Sequence, residues 1–422
     1  MNDVRFHKKT NSFLNYVFVN VFSPLVIVLF TIKILTACNY ENETDKSKSI
    51  IVAGKKIPSK GEDRKSMFIA HRGVHFKCSL AGENSIESIQ YAKRAGFEFI
   101  ETDIRWTSDS VLVAMHDETI NRTCLLKEGT EIKYEVKVSE ITLNELKSNY
   151  VLKSDKYNTK ASVPTLKEFL LACKKNSIIP FIEPKLSNGP EIFYEKIIEE
   201  ADGIMGRCNY VITSNNSANI IIREMGYSDI ILMGILYLTT YEEIENLGNT
   251  IMAISATQFQ PTEYEMNVAK AKSSGFPTES HANTFEKFNL VCDNDIDIIS
   301  TDMLAPDLND SSNLLLNIIN DTLFNEFNYS GSIINEALVM LGNDTLSLKN
   351  RMPYMYFGGL FLVIEIVGNC ELIFGNQTFM INKPDKKILR HQLMIYDTIP
   401  QFKLRAIDKC IISNISLKSV MY

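Results

Sequence analysis

Between Met67 and about Asp307 the chain repeats one pattern, a short apolar run followed by a longer stretch with helical spacing. The apolar runs are residues 68–70, 97–104, 179–182, 210–213, 230–236, 251–255, 276–281 and 296–300. Helical stretches such as 85–95, 165–175, 191–200 and 218–225 lie between them. Parallel strands need a crossover of a dozen or more residues, and a helix supplies it. Eight such units over roughly 250 residues predict an α/β fold, a TIM-type (β/α)8 barrel. The full 422 residues exceed the usual domain of roughly 100–200, which leaves room for a second unit.

One extra run, 111–115, breaks the alternation. Only residues 107–110 separate it from the run before, too few for a parallel crossover, so it folds back as a hairpin arm. Antiparallel pairing about that turn sets His116 opposite Glu101 and Ala114 opposite Asp103. That brings an imidazole level with two carboxylates at the strand ends where active sites of such barrels form.

Four of these runs finish in ionisable residues: Ile69-Ala70-His71-Arg72-Gly73, Ile100-Glu101-Thr102-Asp103, Ala114-Met115-His116-Asp117 and Phe181-Ile182-Glu183-Pro184-Lys185. Each alone is ordinary. A lone strand-end histidine is more often a structural hydrogen-bonding group, and Glu-x-Asp is two charges on one face of a strand. Taken together they form a chemical set. Glu101, Asp103 and Glu183 offer three hard oxygen ligands suited to Mg²⁺ or Ca²⁺. Arg72 and Lys185 offer positive charge to a phosphate. His71 and His116 supply acid and base near neutral pH. Hydrolysis of a phosphodiester needs these parts: neutralised charge, a positioned nucleophile and a protonated leaving oxygen.

Together with Glu83-Asn84-Ser85, Arg122-Thr123 and Pro164-Thr165-Leu166-Lys167-Glu168, these motifs stand in the order seen in glycerophosphodiester phosphodiesterases. Over residues 67–307 the chain resembles that family. The resemblance implies a TIM barrel that uses a divalent metal to release glycerol 3-phosphate and an alcohol from deacylated phospholipids. By position it implies Glu101, Asp103 and Glu183 as metal ligands, His71 and His116 as the acid–base pair, and Arg72 and Lys185 on the phosphate. It also implies that the substrate's own glycerol hydroxyl attacks first, giving a cyclic phosphate that water opens; direct attack by water stays open. Asp302 resembles the family's closing Thr-Asp pair and reads as a turn or helix cap. Glu83 reads either as support for the site or as the start of a helix, and His75 as loop.

The chain departs from the family twice, both times on the glycerol or alcohol side. Residues 278–283 read Thr-Glu-Ser-His-Ala-Asn where the family has a Trp-Thr-Val-Asn-like run, and Asn215 rather than an aromatic follows Ser214. His281 is open between a substrate contact and a structural role. Two other functional readings stand beside this one. One is phospholipase-C-like or sphingomyelinase-D-like action on intact lipid, which needs an exposed apolar rim at the barrel mouth. The other is a non-catalytic surface lipoprotein whose C-terminal module binds glycan.

Outside the barrel, Lys8 and Lys9 precede an apolar run, 21–34, that ends in Leu35-Thr36-Ala37-Cys38. Basic start, apolar core and small residues before a cut site predict an export signal over 1–38. The cysteine resembles that of a bacterial lipobox, which implies lipid on Cys38 and a lipid-anchored place in the bacterial cell envelope, periplasmic or cell-surface. An uncleaved anchor is the other reading, for which the run is marginally short. The polar stretch 39–65 reads as a flexible tether without a core of its own, and the barrel as 66–310. Residues 314–327 look helical. Short β runs at 360–366, 370–374, 378–381, 393–396 and 402–406 then predict a small all-β, sandwich-like module over 330–422. A net charge of −7 argues against a nucleic-acid partner. None of the eight cysteines forms a CxxC pair, so a zinc ribbon is unsupported, and the spacing selects no disulfide.

Overall fold

Short strands buried on both faces, capped helices between them and a return of the last strand to the first close the first part of the chain into a ring. In the computed structural model, the described residues are 50–57, 66–75, 81–94, 96–153, 161–186, 188–238, 240–283, 285–302, 315–321, 327–348, 358–374, 377–395 and 402–420. The export signal with Cys38 and the tether up to residue 49 lie outside them. The strands are β1 (Ile50–Val52), β2 (Lys55–Ile57), β3 (Met67–Ala70), β4 (Phe99–Trp106), β5 (Leu112–Ala114), β6 (Cys124–Leu126), β7 (Tyr150–Leu152), β8 (Ile179–Pro184), β9 (Val211–Ser214), β10 (Ile231–Ile235), β11 (Thr250–Ala253), β12 (Thr278–Ala282) and β13 (Ile298–Thr301). The helices are α1 (Ile86–Arg94), α2 (Leu143–Asn149), α3 (Leu166–Asn176), α4 (Glu191–Ile204), α5 (Asn216–Glu224), α6 (Tyr241–Asn246), α7 (Pro261–Ser273) and α8 (Phe285–Asp293).

Eight parallel strands pair in the order β3-β13-β12-β11-β10-β9-β8-β4, and β4 pairs back to β3, which closes the barrel. All eight expected strands are present. Helix α3 shows why the crossovers form where they do. Thr165 caps it by accepting from the Glu168 amide, Glu168 returns the bond, and Leu166, Phe169, Leu170 and Cys173 bury one face at helical spacing. Ser177 in the left-handed region then ends it.

Strand alternation sorts the lumen into layers. Ile69, Phe99, Phe181, Val211, Ile231, Ile251 and Ile298 fill the bottom with apolar bulk. One step up the same faces stand Glu101 and Glu183. The stretch expected to be tether contributes here: β1 and β2 form a hairpin, and Ile50, Val52 and Ile57 join this lumen core. Residues 50–57 are therefore part of the barrel's floor, because three apolar side chains close an otherwise open end.

The C-terminal strands are β14 (Leu315–Asp321), β15 (Phe327–Tyr329), β16 (Ser332–Ile334), β17 (Ala337–Met340), β18 (Thr345–Leu348), β19 (Gly358–Phe374), β20 (Gln377–Ile395) and β21 (Phe402–Val420). They make one antiparallel eight-stranded sheet with its own core, including Phe327, Leu346, Ile366, Leu404 and Ile412. The helix expected over 314–327 is corrected to strand: β14 pairs along β21 and β15 along β18, so tertiary pairing overrides local spacing. The separate runs 360–366 and 370–374 fuse into β19 through an irregularity at Gly368, whose φ of +110 suits glycine. Among the described residues no helix is long and apolar enough to cross a membrane. Cys124, Cys173, Cys292, Cys370 and Cys410 carry thiols, whereas Cys208 is disulfide-bonded.

Candidate active site

After β3 the chain turns sharply through His71-Arg72-Gly73, with φ +55 at Arg72 and +80 at Gly73. A Cβ on Gly73 would collide with the Ser88 hydroxyl, so glycine lets the turn lie against α1. In this turn the Arg72 amide donates to Glu101 Oε2 at 3.0 Å. Asn84, buried and also at positive φ, fixes the end of β4. Its Nδ2 donates to Asp103 Oδ2 at 2.8 Å, and its Oδ1 accepts from Thr102 Oγ1 at 2.8 Å and from the Asp103 amide at 3.3 Å. Asn84 thus belongs to the site's support, a role its place beside a helix start did not announce.

Strands β4 and β8 place Asp103 beside Glu183. Glu101, Asp103 and Glu183 present oxygens within 4.8 Å of one another. Glu101 Oε1 is buried with no hydrogen-bond partner, a costly state for a carboxylate. Burial, then the charge of Asp103, pushes Glu101 up to about 8. Burial also opposes the Asp103 anion, but Lys185 and Arg72 hold it down at about 2. This donor set fits a hard divalent cation, which would supply the charge that the orphaned Glu101 oxygen lacks. Lys185 Nζ lies 2.6 Å from Glu183 Oε1 and 3.0 Å from Asp103 Oδ1. Arg72 Nε lies 3.3 Å from Asp103 Oδ2, and its Nη1 donates to Glu83 Oε1 at 3.3 Å. Both expected phosphate cations therefore border the carboxylate trio.

A histidine–aspartate pair stands on either side. His71 Nδ1 lies 2.6 Å from Asp302 Oδ1, and its Nε2 faces Glu101 Oε2 at 3.9 Å. Asp302 is thus a partner of His71, and the turn-or-cap expectation is corrected; its neighbours in space come from β3, out of sight in the linear chain. Burial works to lower His71, but the Asp302 hydrogen bond and the Glu101 and Asp302 charges outweigh it and raise the imidazole to about 9. On the other side His116 Nδ1 lies 2.6 Å from Asp117 Oδ1. Arg122 donates to both oxygens of Asp117, at 2.6 and 3.1 Å, and to both of Glu83, at 2.8 and 2.7 Å. Glu83 therefore supports the site through a relay, Glu83–Arg122–Asp117–His116. Burial moves His116 the other way, below its ordinary value.

The hairpin arm exists, one residue out of the expected register. Ala114 pairs with Ile104, and the Met115 amide donates to Asp103 O at 2.9 Å. Ser110 adopts φ +58 and the Thr107 amide donates to Val111 O. The connection thereby shortens to a three-residue loop ending in a left-handed residue. Arg105 Nε donates to the His116 carbonyl at 2.8 Å and holds the arm's end in place.

The opposite wall of the mouth is different. Met233 and Ala253 belong to the apolar lumen core. Further round, Glu279 and His281 stand on one face of β12, and the His281 and His71 rings meet edge-on with centroids 4.4 Å apart. Burial pushes Glu279 up to about 8, and burial with the His71 charge pushes His281 down to about 3. His75, expected to be plain loop, brings Nε2 to 3.9 Å from Asp302 Oδ1.

Residues 71–222, from His71 into α5, match the domain model of the Glycerophosphoryl diester phosphodiesterase family. Over those residues the barrel is similar to this family. The barrel is similar to Glycerophosphodiester phosphodiesterase 1 of Bos taurus, 32% identical over 30% of this chain and 35% of that protein. It is also similar to a glycerophosphodiester phosphodiesterase of Bacillus altitudinis, 36% identical over 28% of this chain and 44% of that one. The chain thus spans about a third to a half of the length of these relatives. Among solved structures, a glycerophosphoryl diester phosphodiesterase from Parabacteroides distasonis aligns with a TM-score of 0.47 and 22% identity, covering 58% of this chain and 86% of that one. A phosphodiesterase from Oleispira antarctica, in complex with sn-glycerol-3-phosphate, aligns with a TM-score of 0.46 and 19% identity, covering 56% of this chain and 92% of that one.

Proposed function

We propose that the barrel hydrolyses glycerophosphodiesters to glycerol 3-phosphate and an alcohol. The observation that carries this reading is the Glu101–Asp103–Glu183 trio, with Glu101 and Asp103 buried and Glu183 half-buried, and a histidine–aspartate pair on each side. The trio would hold Ca²⁺ or Mg²⁺, which supplies positive charge to the phosphate and to the attacking oxygen. Around it, Arg72 and Lys185 bring cationic donors to the phosphate oxygens. One imidazole of the His71 and His116 pair takes the proton of the attacking hydroxyl, and the other gives a proton to the departing alcohol. Asp302 and Asp117 hold the two rings by Nδ1, leaving each Nε2 for the reaction. The apolar side at Met233 and Ala253 leaves the alcohol portion with few polar anchors.

The test is direct. Purified protein is incubated with a panel of glycerophosphodiesters after EDTA treatment, with Ca²⁺ or Mg²⁺ added back, and glycerol 3-phosphate is measured. Turnover is expected with the cation and lost without it; indifference to chelation sinks the metal assignment. Vesicles of intact phospholipid in the same assay separate this reading from action on whole lipid.

We further infer export and attachment to a bacterial envelope membrane through lipid on Cys38, supported by the terminal sequence and by the disulfide at Cys208. A lipid on the Cys38 sulfur requires that Cys208 pair elsewhere. Fatty-acid labelling that persists in Cys38→Ser, or a Cys38–Cys208 peptide in a non-reducing digest, overturns the anchor. Glycan binding by the C-terminal sheet is a separate proposal, checked by glycan-array binding of the intact chain.

A further inference from the structure

Three of the chain's six histidines converge on one carboxylate, in a group that adjoins the trio proposed for the hard cation through His71 but shares no ligand with it. Asp302 follows β13, His71 and His75 follow β3, and His281 lies on β12, so three neighbouring strands of the ring supply the group. The contacts are close: His71 Nδ1 at 2.6 Å and His75 Nε2 at 3.9 Å from Asp302 Oδ1, with the His281 ring 4.4 Å from that of His71. One ligand atom each from His71, His281 and Asp302 falls within 4.8 Å of the others. None of the three is exposed.

We propose that this side of the barrel mouth is a second cation site, in which His71, His281 and Asp302, with His75 beside them, take a nitrogen-preferring divalent ion such as Zn²⁺. The donor chemistry separates it from the trio. Imidazoles with one carboxylate are the ligands of four-coordinate Zn²⁺, whereas three carboxylates suit Mg²⁺ or Ca²⁺. Ion entry displaces the proton shared by His71 Nδ1 and Asp302, so binding releases a proton. The site has a consequence for turnover that rests on the reading of His71 as an acid–base group. With Nδ1 bound to metal, Nε2 keeps its hydrogen and can neither accept nor readily release a proton near neutral pH. The ion at this second site is therefore an inhibitor, while the ion at the carboxylates is required.

The experiment uses the full chain, stripped with EDTA and then held in excess Mg²⁺ so that the carboxylate trio is filled. Zn²⁺ is titrated by calorimetry, and bound zinc is counted by elemental analysis. The wild type is expected to take one zinc per chain. His281→Ala is expected to weaken that binding at least about tenfold, and Glu183→Gln to retain it. No stoichiometric zinc in the wild type overturns the proposal. So does undiminished binding in His281→Ala, or loss of the zinc in Glu183→Gln. If His281→Ala does not fold, Co²⁺ absorption of the wild type decides: a tetrahedral, nitrogen-rich spectrum supports the site and an octahedral oxygen spectrum overturns it. Zinc should also inhibit glycerophosphodiester turnover in Mg²⁺. Stoichiometric zinc in a protein without that turnover would overturn the proposed activity and leave the second site standing.

Discussion

The two halves of the barrel mouth are built from the same alternation of strands and do different things with it. On the β3, β4, β5 and β8 side, lumen-facing positions above the apolar floor carry Glu101, Asp103, Glu183 and Lys185, and two adjoining turns add His71, Arg72 and His116. On the β10 and β11 side, the equivalent layer is Met233 and Ala253. On the proposed reading, the difference separates chemistry from selectivity. One half concentrates charge at buried and half-buried positions, where each group is coupled to the next. The other offers shape and apolar area, which tunes binding by small amounts per contact. β12 and β13 close the ring with Glu279, His281 and Asp302 and belong to neither type.

The comparison breaks first at the carboxylates. Glu101→Gln should lower turnover by about 10³-fold or more, whereas Met233→Ala should move KM by less than about tenfold. Steady-state kinetics on one glycerophosphodiester checks both, and a larger effect at Met233 would reverse the assignment of the halves. Next, His116→Ala should cost about 10²–10⁴-fold in kcat; unchanged turnover would remove the acid–base role.

A smaller effect is expected at Asp302→Asn. Burial lowers His71 and the Asp302 hydrogen bond is the largest opposing cause. Without that anion the imidazole should titrate well below about 9. An NMR titration of the histidines in EDTA reads this, and an unmoved His71 curve means that Asp302 does not govern it. The smallest effect concerns stability. Burial raises Glu279 to about 8 in the fold, above its unfolded value, so its contribution is most favourable at low pH and is lost as pH rises through about 8. Glu279→Gln should therefore raise the melting temperature at mildly alkaline pH, by roughly 2–4 °C per kcal/mol, and leave it little changed in acid. Equal shifts at both would exclude a titration origin.

Much of the polar half was legible because its residues follow strands in short motifs, and a strand end in a barrel has a fixed place in space. The arm carrying His116 was legible for the same kind of reason, since its loop is too short to cross over. Its register was not: one left-handed residue, Ser110, moved the pairing by one step. The helix expected over 314–327 failed because its spacing says nothing of β21, a partner roughly a hundred residues later. The floor hairpin was missed because three apolar residues in a polar stretch gain a core only from the barrel above them.

By itself the sequence determined the ring of eight strand–helix units, the arm and the set of ionisable residues at four strand ends. Periodicity and loop length act locally and can be read along the chain. Only the tertiary structure decided which groups share a partner. It joined Asp302 to His71 across 231 positions and Glu83 to Arg122 across 39, and it gathered three histidines round one carboxylate. Those contacts depend on ring closure and on Arg72 and Gly73 at positive φ after β3, which no local pattern expresses.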